Sequence, residues 1–98
     1  MEMFARVSTY GTGPETISDA PSEDIINRVL EIPGCKGIYY LRGKSAGKDL
    51  SITLWDSEDS MSASRETANK IRTETSAAEG TQILAVEEFE VTASSFKD

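Results

Sequence analysis

The sequence contains no histidine, one cysteine (Cys35) and one tryptophan (Trp55). Without histidine, the chain lacks the side chain that most often serves as general base, metal ligand and pH switch in proteins. A single cysteine excludes an internal disulfide and is typical of a reducing compartment. We therefore expect no metal site, and we interpret Cys35 as a structural residue.

Long hydrophobic runs are also missing. The longest strictly apolar run, Ile83–Val86, is far too short to span a bilayer, and no basic-then-apolar leader is visible. The formal net charge of −7 repels phosphate backbones and anionic lipid, which disfavours nucleic acid and membrane surfaces as partners. A length of 98 residues suits one domain. We predict a cytoplasmic protein with a single domain over residues 1–93 and a frayed tail over 94–98.

The stretch Ser51–Arg72 has the clearest local pattern. Apolar Leu50, Ile52 and Leu54 alternate with the residues between them up to Trp55, which indicates a strand. Ser57 and its acidic neighbours then form a good helix start, and Gly80 is a suitable stop. The pattern predicts a strand that ends at Trp55, followed by one helix from Ser57 to about Gly80.

The rest of the chain supplies three more strands and one more helix. Glu15 to Ala20 is interpreted as a loose turn, and the main first helix runs from Ser22 to about Glu31. The other predicted strands are Glu2–Tyr10, Cys35–Arg42 and Thr81–Thr92, and Gly43–Gly47 is a hairpin loop that leads into the third strand at Lys48. The order β-α-β-β-α-β predicts an α+β, ferredoxin-like fold: a four-stranded antiparallel sheet with both helices on one face.

The strands carry apolar residues on both alternating sets of positions, as in the first strand with Met3, Ala5 and Val7 on one side and Phe4 and Tyr10 on the other. Two helices cover only one face of a sheet, so the second face needs another partner. A second copy of the same sheet is the simplest one. We therefore predict a homodimer in which the two sheets pack together.

These elements resemble the antibiotic biosynthesis monooxygenase family of the dimeric α+β barrel superfamily. The resemblance rests on Phe4–Tyr10, Pro33–Arg42, Ile52–Met61 and Val86–Val91, and the strand-Trp-x-Ser-helix stretch Ile52–Met61 is its most specific part. It implies a small dimeric protein that oxidises an aromatic substrate without a cofactor. The first strand has Arg6 and Ser8 where characterised members often have asparagine. The chain also lacks the histidine with which the haem-degrading branch binds iron, so haem degradation is not expected.

Trp55 is the one residue that the resemblance places at a functional position. It would line a pocket between the sheet and the helices and stack on a flat aromatic ligand, or it would be a core or dimer-interface tryptophan. Tyr39 and Tyr40 are consecutive, so they point to opposite faces of their strand. The one on the pocket side could hydrogen-bond a substrate, although a strand tyrosine with its hydroxyl at the edge is the commoner arrangement.

Arg6 lies in the middle of a predicted strand in an apolar setting. A buried arginine needs a carboxylate partner, for which Glu87 and Glu88 are candidates; alternatively, Arg6 would polarise a substrate oxygen. The substrate-binding candidates are therefore Trp55, Tyr39, Tyr40 and Arg6, and no catalytic residue is assigned.

Two functions remain open at this point. The first is a cofactor-independent monooxygenase of a small aromatic such as an anthrone or a hydroquinone. The second is a non-catalytic dimeric protein that binds a hydrophobic small molecule.

Overall fold

A computed structural model describes residues 3–17, 21–44 and 47–97. Its elements are, in chain order, β1 (Phe4–Gly11), α1 (Glu23–Leu30), β2 (Cys35–Arg42), β3 (Lys48–Trp55), α2 (Glu58–Ala63), α3 (Arg65–Glu79) and β4 (Gln82–Glu90). The four strands form one sheet in the order β2-β3-β1-β4, and every neighbouring pair is antiparallel. This arrangement confirms the predicted α+β, ferredoxin-like fold. None of the helices in the described ranges is long and apolar enough to cross a membrane.

The ends of the elements follow the expected local signals. Ser22 caps α1, since its side chain accepts a hydrogen bond from the backbone N–H of Ile25, and Ser57 caps α2 in the same way. Gly80 ends α3 in the left-handed conformation. The fourth strand ends at Glu90, two residues earlier than the predicted Thr92. The predicted start of the first strand at Glu2, the part of the loose turn over 18–20, the loop tip at 45–46 and the last residue of the tail lie outside the described residues.

The predicted second helix is divided into two helices at Ser64, which sequence reasoning did not foresee. The Met61 carbonyl oxygen accepts hydrogen bonds from Arg6 Nη2 at 2.7 Å and from the Ser64 hydroxyl at 2.7 Å. These two hydrogen bonds compete with the regular helical bond that this carbonyl would accept from the N–H four residues later. Helical hydrogen bonding then resumes, since the Ala68 N–H donates to the Ser64 carbonyl oxygen. A side chain from β1 therefore accounts for the break.

The register assigns each residue of the sheet to a face. Phe4 lies opposite Trp55 and Arg6 lies opposite Thr53, so these residues share the face that the helices cover. The hydrophobic core lies between this face and the helices and consists of Phe4, Val29, Ile32, Trp55, Met61 and Ile71. Trp55 has no exposed surface, so it belongs to this core.

The opposite face of the sheet, which we call the open face, has no helix over it. Its central rows come from β1 and β3, where Ala5 lies opposite Leu54 and Val7 lies opposite Ile52. Its outer rows carry Tyr39 and Leu41 on β2 and Phe89 on β4, whose side chains are 51%, 43% and 48% exposed. Exposed apolar residues therefore lie side by side on this face.

Candidate functional site

The face of the sheet beneath the helices carries several buried polar residues. Its residues around one small interior gap are, on the strands, Arg6, Ser8, Tyr10, Ile38, Tyr40, Ser51, Thr53 and Trp55. The helices contribute Val29, Ala68, Ile71, Arg72 and Thr75 to the same gap. Buried polar groups are costly unless they are hydrogen-bonded, so each of these side chains needs a partner.

Several of the buried hydroxyls and the indole satisfy one another. Trp55 Nε1 donates to Thr53 Oγ1 at 3.0 Å, and the hydroxyls of Tyr10 and Ser51 lie 3.2 Å apart. The guanidinium carbon of Arg6 lies 5.4 Å from the centre of the Trp55 ring, which is the geometry of a cation–π contact. Trp55 is therefore held by a hydrogen bond and a cation–π contact, and the hydroxyls of Tyr10 and Ser51 hold each other.

Arg6 is almost completely buried, and four of its five guanidinium N–H groups donate to protein groups. Nε and Nη2 donate to Glu88 Oε2 at 3.2 and 2.9 Å, Nη1 donates to Ser64 Oγ at 3.1 Å, and Nη2 also reaches the Met61 carbonyl. Arg6 and Glu88 are direct cross-strand neighbours. The expected pairing of Arg6 with a carboxylate of the last strand is confirmed, with Glu88 as the partner. With one N–H donor left, Arg6 is a poor ligand-binding group in this arrangement.

Glu88 carries a second arginine on its other side. Arg65, an exposed residue at the start of α3, donates to both carboxylate oxygens of Glu88. The hydrogen bonds from Arg65 and Arg6 and the charges of both arginines lower the pKa of Glu88 to about 2, against the opposing effect of burial. Glu88 therefore stays ionised throughout the physiological pH range and is not a general base.

Arg72 on α3 differs from Arg6, because it is buried without a carboxylate. Only 8% of its surface is exposed. Its Nε donates to Ser8 Oγ at 2.9 Å and its Nη1 donates to Asn69 Oδ1 at 3.2 Å, and both acceptors are uncharged. None of the ion pairs found among residues 3–17, 21–44 and 47–97 includes Arg72. Burial lowers the pKa of Arg72 and the nearby charge of Arg6 lowers it further, against the opposing effects of Tyr10 and Glu88.

An open cavity of about 530 Å³ adjoins this arginine between α3 and β4. It is lined by Arg6, Arg65, Glu66, Asn69, Arg72, Val86 and Glu88. The interior gap, which shares Arg6 and Arg72 with the open cavity, has only about 30 Å³ of free space. The open cavity lies within the ~300–1,000 Å³ that small-molecule sites occupy, whereas the interior gap is too small for an aromatic ring. Arg72 stands where the two spaces meet.

The two consecutive tyrosines lie on opposite faces, as predicted. Tyr40 lies opposite Ser51 and borders the interior gap, whereas Tyr39 lies opposite Ile52 on the open face. Burial raises the pKa of Tyr40 above its ordinary value, and the neighbouring Tyr10 and Glu79 raise it further. Tyr40 is therefore a neutral hydrogen-bond donor at any physiological pH, and Tyr39 lies away from the cavity.

The structure thus brings three of the four predicted residues to one site: Arg6, Tyr40 and Trp55. Sequence reasoning missed Arg72 and Ser64. A signal was present, because Arg72 lies four residues after the half-buried Ala68 and three residues before the buried Thr75, which places it next to the apolar stripe of its helix. Arginine on a helix is usually solvated, so the spacing alone did not single it out.

No metal centre is suggested by the described residues. They contain no group of three or more histidine, cysteine, aspartate or glutamate side chains arranged to hold an ion. Cys35 is half-buried, and burial raises the pKa of its thiol. Its thiolate form is therefore disfavoured at neutral pH, which agrees with the interpretation of Cys35 as structural.

The element order and the sheet define a fold class: small α+β proteins with the βαββαβ, ferredoxin-like arrangement. A mutant of SnoaB, described as a cofactor-independent oxygenase from Streptomyces nogalater, is similar with a TM-score of 0.60 and 16% identity over 98% of this chain and 97% of that chain. A putative antibiotic biosynthesis monooxygenase from Chloroflexus aurantiacus is similar with a TM-score of 0.53 and 17% identity over the same shares. No protein-family model and no curated protein matches the sequence. The likeness confirms the predicted resemblance at the level of the fold.

Proposed function

We propose that this protein is a cofactor-independent monooxygenase that takes a small, flat, hydroxylated aromatic such as an anthrone or a hydroquinone. The observation that carries the proposal is the polar wall of the sheet, with Tyr40, Trp55 and two buried arginines, next to an open cavity of about 530 Å³. The structural similarity to SnoaB, described as a cofactor-independent oxygenase, supports it.

The chemistry makes modest demands on the protein, because the ionised substrate is itself the reductant. An anthrone anion gives one electron to dioxygen, and the resulting radical and superoxide combine into a peroxide anion at the reacting carbon. This anion takes back the proton that the substrate lost, and loss of water from the hydroperoxide leaves the quinone. Overall, one dioxygen is consumed, the CH₂ group becomes a carbonyl and one water is released. The protein supplies desolvation and donors that stabilise the substrate oxyanion.

Tyr40 is the donor best suited to that role. Its hydroxyl is protonated at neutral pH, and it belongs to the face that Trp55 and Arg6 share. Because the interior gap is small, a ring entering from the open cavity requires a shift of the side chains at the boundary. Stabilisation of the oxyanion lowers the pKa of the bound phenol or enol, so that water suffices to remove the proton.

Oxygen uptake in the presence of dihydroxyanthrone tests the proposal. We expect the wild-type protein to accelerate uptake above spontaneous autoxidation, with one dioxygen consumed for each quinone formed. Loss of one oxyanion donor costs about 10²–10³ in rate in well-studied sites, so Tyr40→Phe should lower kcat/KM by at least about tenfold. Tyr39→Phe is the matched control, since Tyr39 is the preceding residue on the opposite face, and should leave the rate unchanged. Uptake equal to autoxidation in the wild type would reject an oxygenase for this substrate class.

A non-catalytic binding protein is the second candidate. This alternative is favoured because neither carboxylate of the cavity is placed as a general base. Glu88 is paired with two arginines, and Glu66 is exposed to solvent. Saturable binding of an anthrone without oxygen uptake would support this alternative.

We also propose that the open face forms a homodimer in solution. Tyr39, Leu41 and Phe89 supply an apolar surface there, and stable interfaces bury roughly 800 Å² on each partner. Sedimentation velocity should give a dimer for the wild type, and Phe89→Lys should shift it toward the monomer. Leu30→Lys, at an exposed position of α1, is the control and should stay dimeric. A monomeric wild type at micromolar concentration would contradict the proposal.

A further inference from the structure

The charge balance of the open cavity points to the kind of ligand that it accepts. Its walls carry three arginines and two glutamates, so the lining has a net charge of +1 within a chain of net charge −7. Arg6 and Arg65 share the carboxylate of Glu88 through hydrogen bonds, whereas no carboxylate among the described residues hydrogen-bonds Arg72. Among the three arginines that line the cavity, Arg72 is therefore the one without a paired carboxylate in the described residues.

The geometry of Arg72 leaves part of its guanidinium facing the cavity. Its hydrogen bonds to Ser8 and Asn69 use Nε and Nη1, the Tyr10 side chain also lies within reach of the guanidinium, and Arg72 lines the open cavity. The two bonds also fix the plane of the guanidinium. A buried cation is costly without a counter-charge, and the fork of an arginine matches a carboxylate better than it matches a single oxygen.

We propose that Arg72 binds a permanent carboxylate of the ligand, so that the hydroxylated aromatic also carries a carboxylate group. The inference deepens the proposed function, since it assigns a substrate class to the same site. It assigns Arg72 to ligand binding and leaves Tyr40 as the donor for the oxygen that becomes charged during the reaction. The carboxylate supplies the counter-charge that Arg72 lacks in the free protein.

Binding of naphthoate and of its neutral amide, naphthamide, to the full chain tests this inference. Titration followed by the fluorescence of Trp55, with calorimetry as a check, should show naphthoate binding at least about tenfold more tightly than naphthamide, because a desolvated ion pair replaces a neutral contact. Arg72→Met should reduce this preference to less than threefold. Arg28→Met removes an equal charge from an exposed arginine that pairs with Glu74 outside the cavity, and should keep the full preference.

Thermal unfolding of the same variants distinguishes a binding role from a structural one. If Arg72 is an uncompensated buried cation, Arg72→Met keeps or raises the Tm while it loses the carboxylate preference. If Arg72 serves only to connect α3 with β1 through Ser8, the Tm falls and the preference is absent from the wild type as well. Equal affinities for naphthoate and naphthamide in the wild type, or a preference retained in Arg72→Met, would overturn the inference.

These results do not depend on the oxygenase activity. An Arg72-dependent preference for naphthoate without any anthrone oxidation would uphold the inference and reject the proposed function. Oxidation of a neutral anthrone by a protein that shows no preference for naphthoate would uphold the proposed function and reject the inference.

Discussion

The Glu88→Gln substitution removes a carboxylate that bonds both Arg6 and Arg65. Arg6 is only 2% exposed, and without Glu88 it keeps Ser64 and the Met61 carbonyl but loses its counter-charge. Removing one partner of a fully buried ion pair costs about 3–5 kcal/mol. The Glu88 side chain is 23% exposed and glutamine retains one acceptor, so we expect a loss of about 2–3 kcal/mol in the free energy of unfolding.

A loss of that size lowers the Tm by roughly 10–20 °C in a domain of about 100 residues. Urea and thermal unfolding at pH 7 measure it, with all variants at one protein concentration because a dimer makes the Tm concentration-dependent. Glu87→Gln is the matched control: Glu87 is the preceding residue, is exposed and shares the open face with Val7. Arg65→Gln removes only the exposed ion pair between Arg65 and Glu88, and should lower the free energy of unfolding only slightly.

A double-mutant cycle separates the pair from the rest of the site. Arg6→Met combined with Glu88→Gln should be less destabilising than the sum of the single changes, since each single change leaves one charged partner without the other. If Glu88→Gln lies within 0.5 kcal/mol of Glu87→Gln, a difference typical of surface changes, the assignment of Glu88 as the counter-charge of a buried arginine is wrong.

Two further predictions concern pH and the turn before β2. Because the pKa of Glu88 falls from 4.5 to about 2 on folding, its stabilising effect is fully present above pH 4.5 and is lost as the pH falls toward 2. The stability difference between the wild type and Glu88→Gln, measured by urea unfolding, should therefore narrow between these pH values; a constant difference would contradict the lowered pKa. At Gly34, where φ is +87°, an added Cβ would lie 2.3 Å from Ser60 Cβ, so Gly34→Ala should destabilise by more than about 1 kcal/mol. Gly37→Ala, where an added Cβ has no heavy atom within 4 Å, is the control in the same unfolding assay, and equal effects of the two changes would contradict the predicted clash.

The sequence was sufficient for the fold because its signals are local. Alternation in the strands, serine caps at Ser22 and Ser57, and the left-handed stop at Gly80 depend on neighbours within a few residues. The ferredoxin-like order then follows from the sequence of elements. The face occupied by Trp55 could not be predicted, because a shift of one residue in strand register exchanges the two faces.

The parts that escaped prediction arise from contacts between residues distant in sequence. The helix break at Ser64 depends on Arg6, which lies 58 residues away and reaches the same turn through the sheet. The burial of Arg72 depends on Ser8, which lies 64 residues away on β1. Nothing near Arg72 in the sequence distinguishes it from a solvated helix arginine, so its role emerges only when α3 is placed over the sheet.

The central claim is that ligands bind between α3 and the helix-covered face of the sheet, and chemical-shift mapping tests it most directly. The single tryptophan gives one indole N–H resonance, so Trp55 can be followed without ambiguity. Titration of the ¹⁵N-labelled full chain with naphthoate should shift this resonance together with the backbone amides of Ser8, Asn69 and Arg72. Shifts confined to Val7, Ile52 and their neighbours on the open face, with an unchanged indole resonance, would contradict the account.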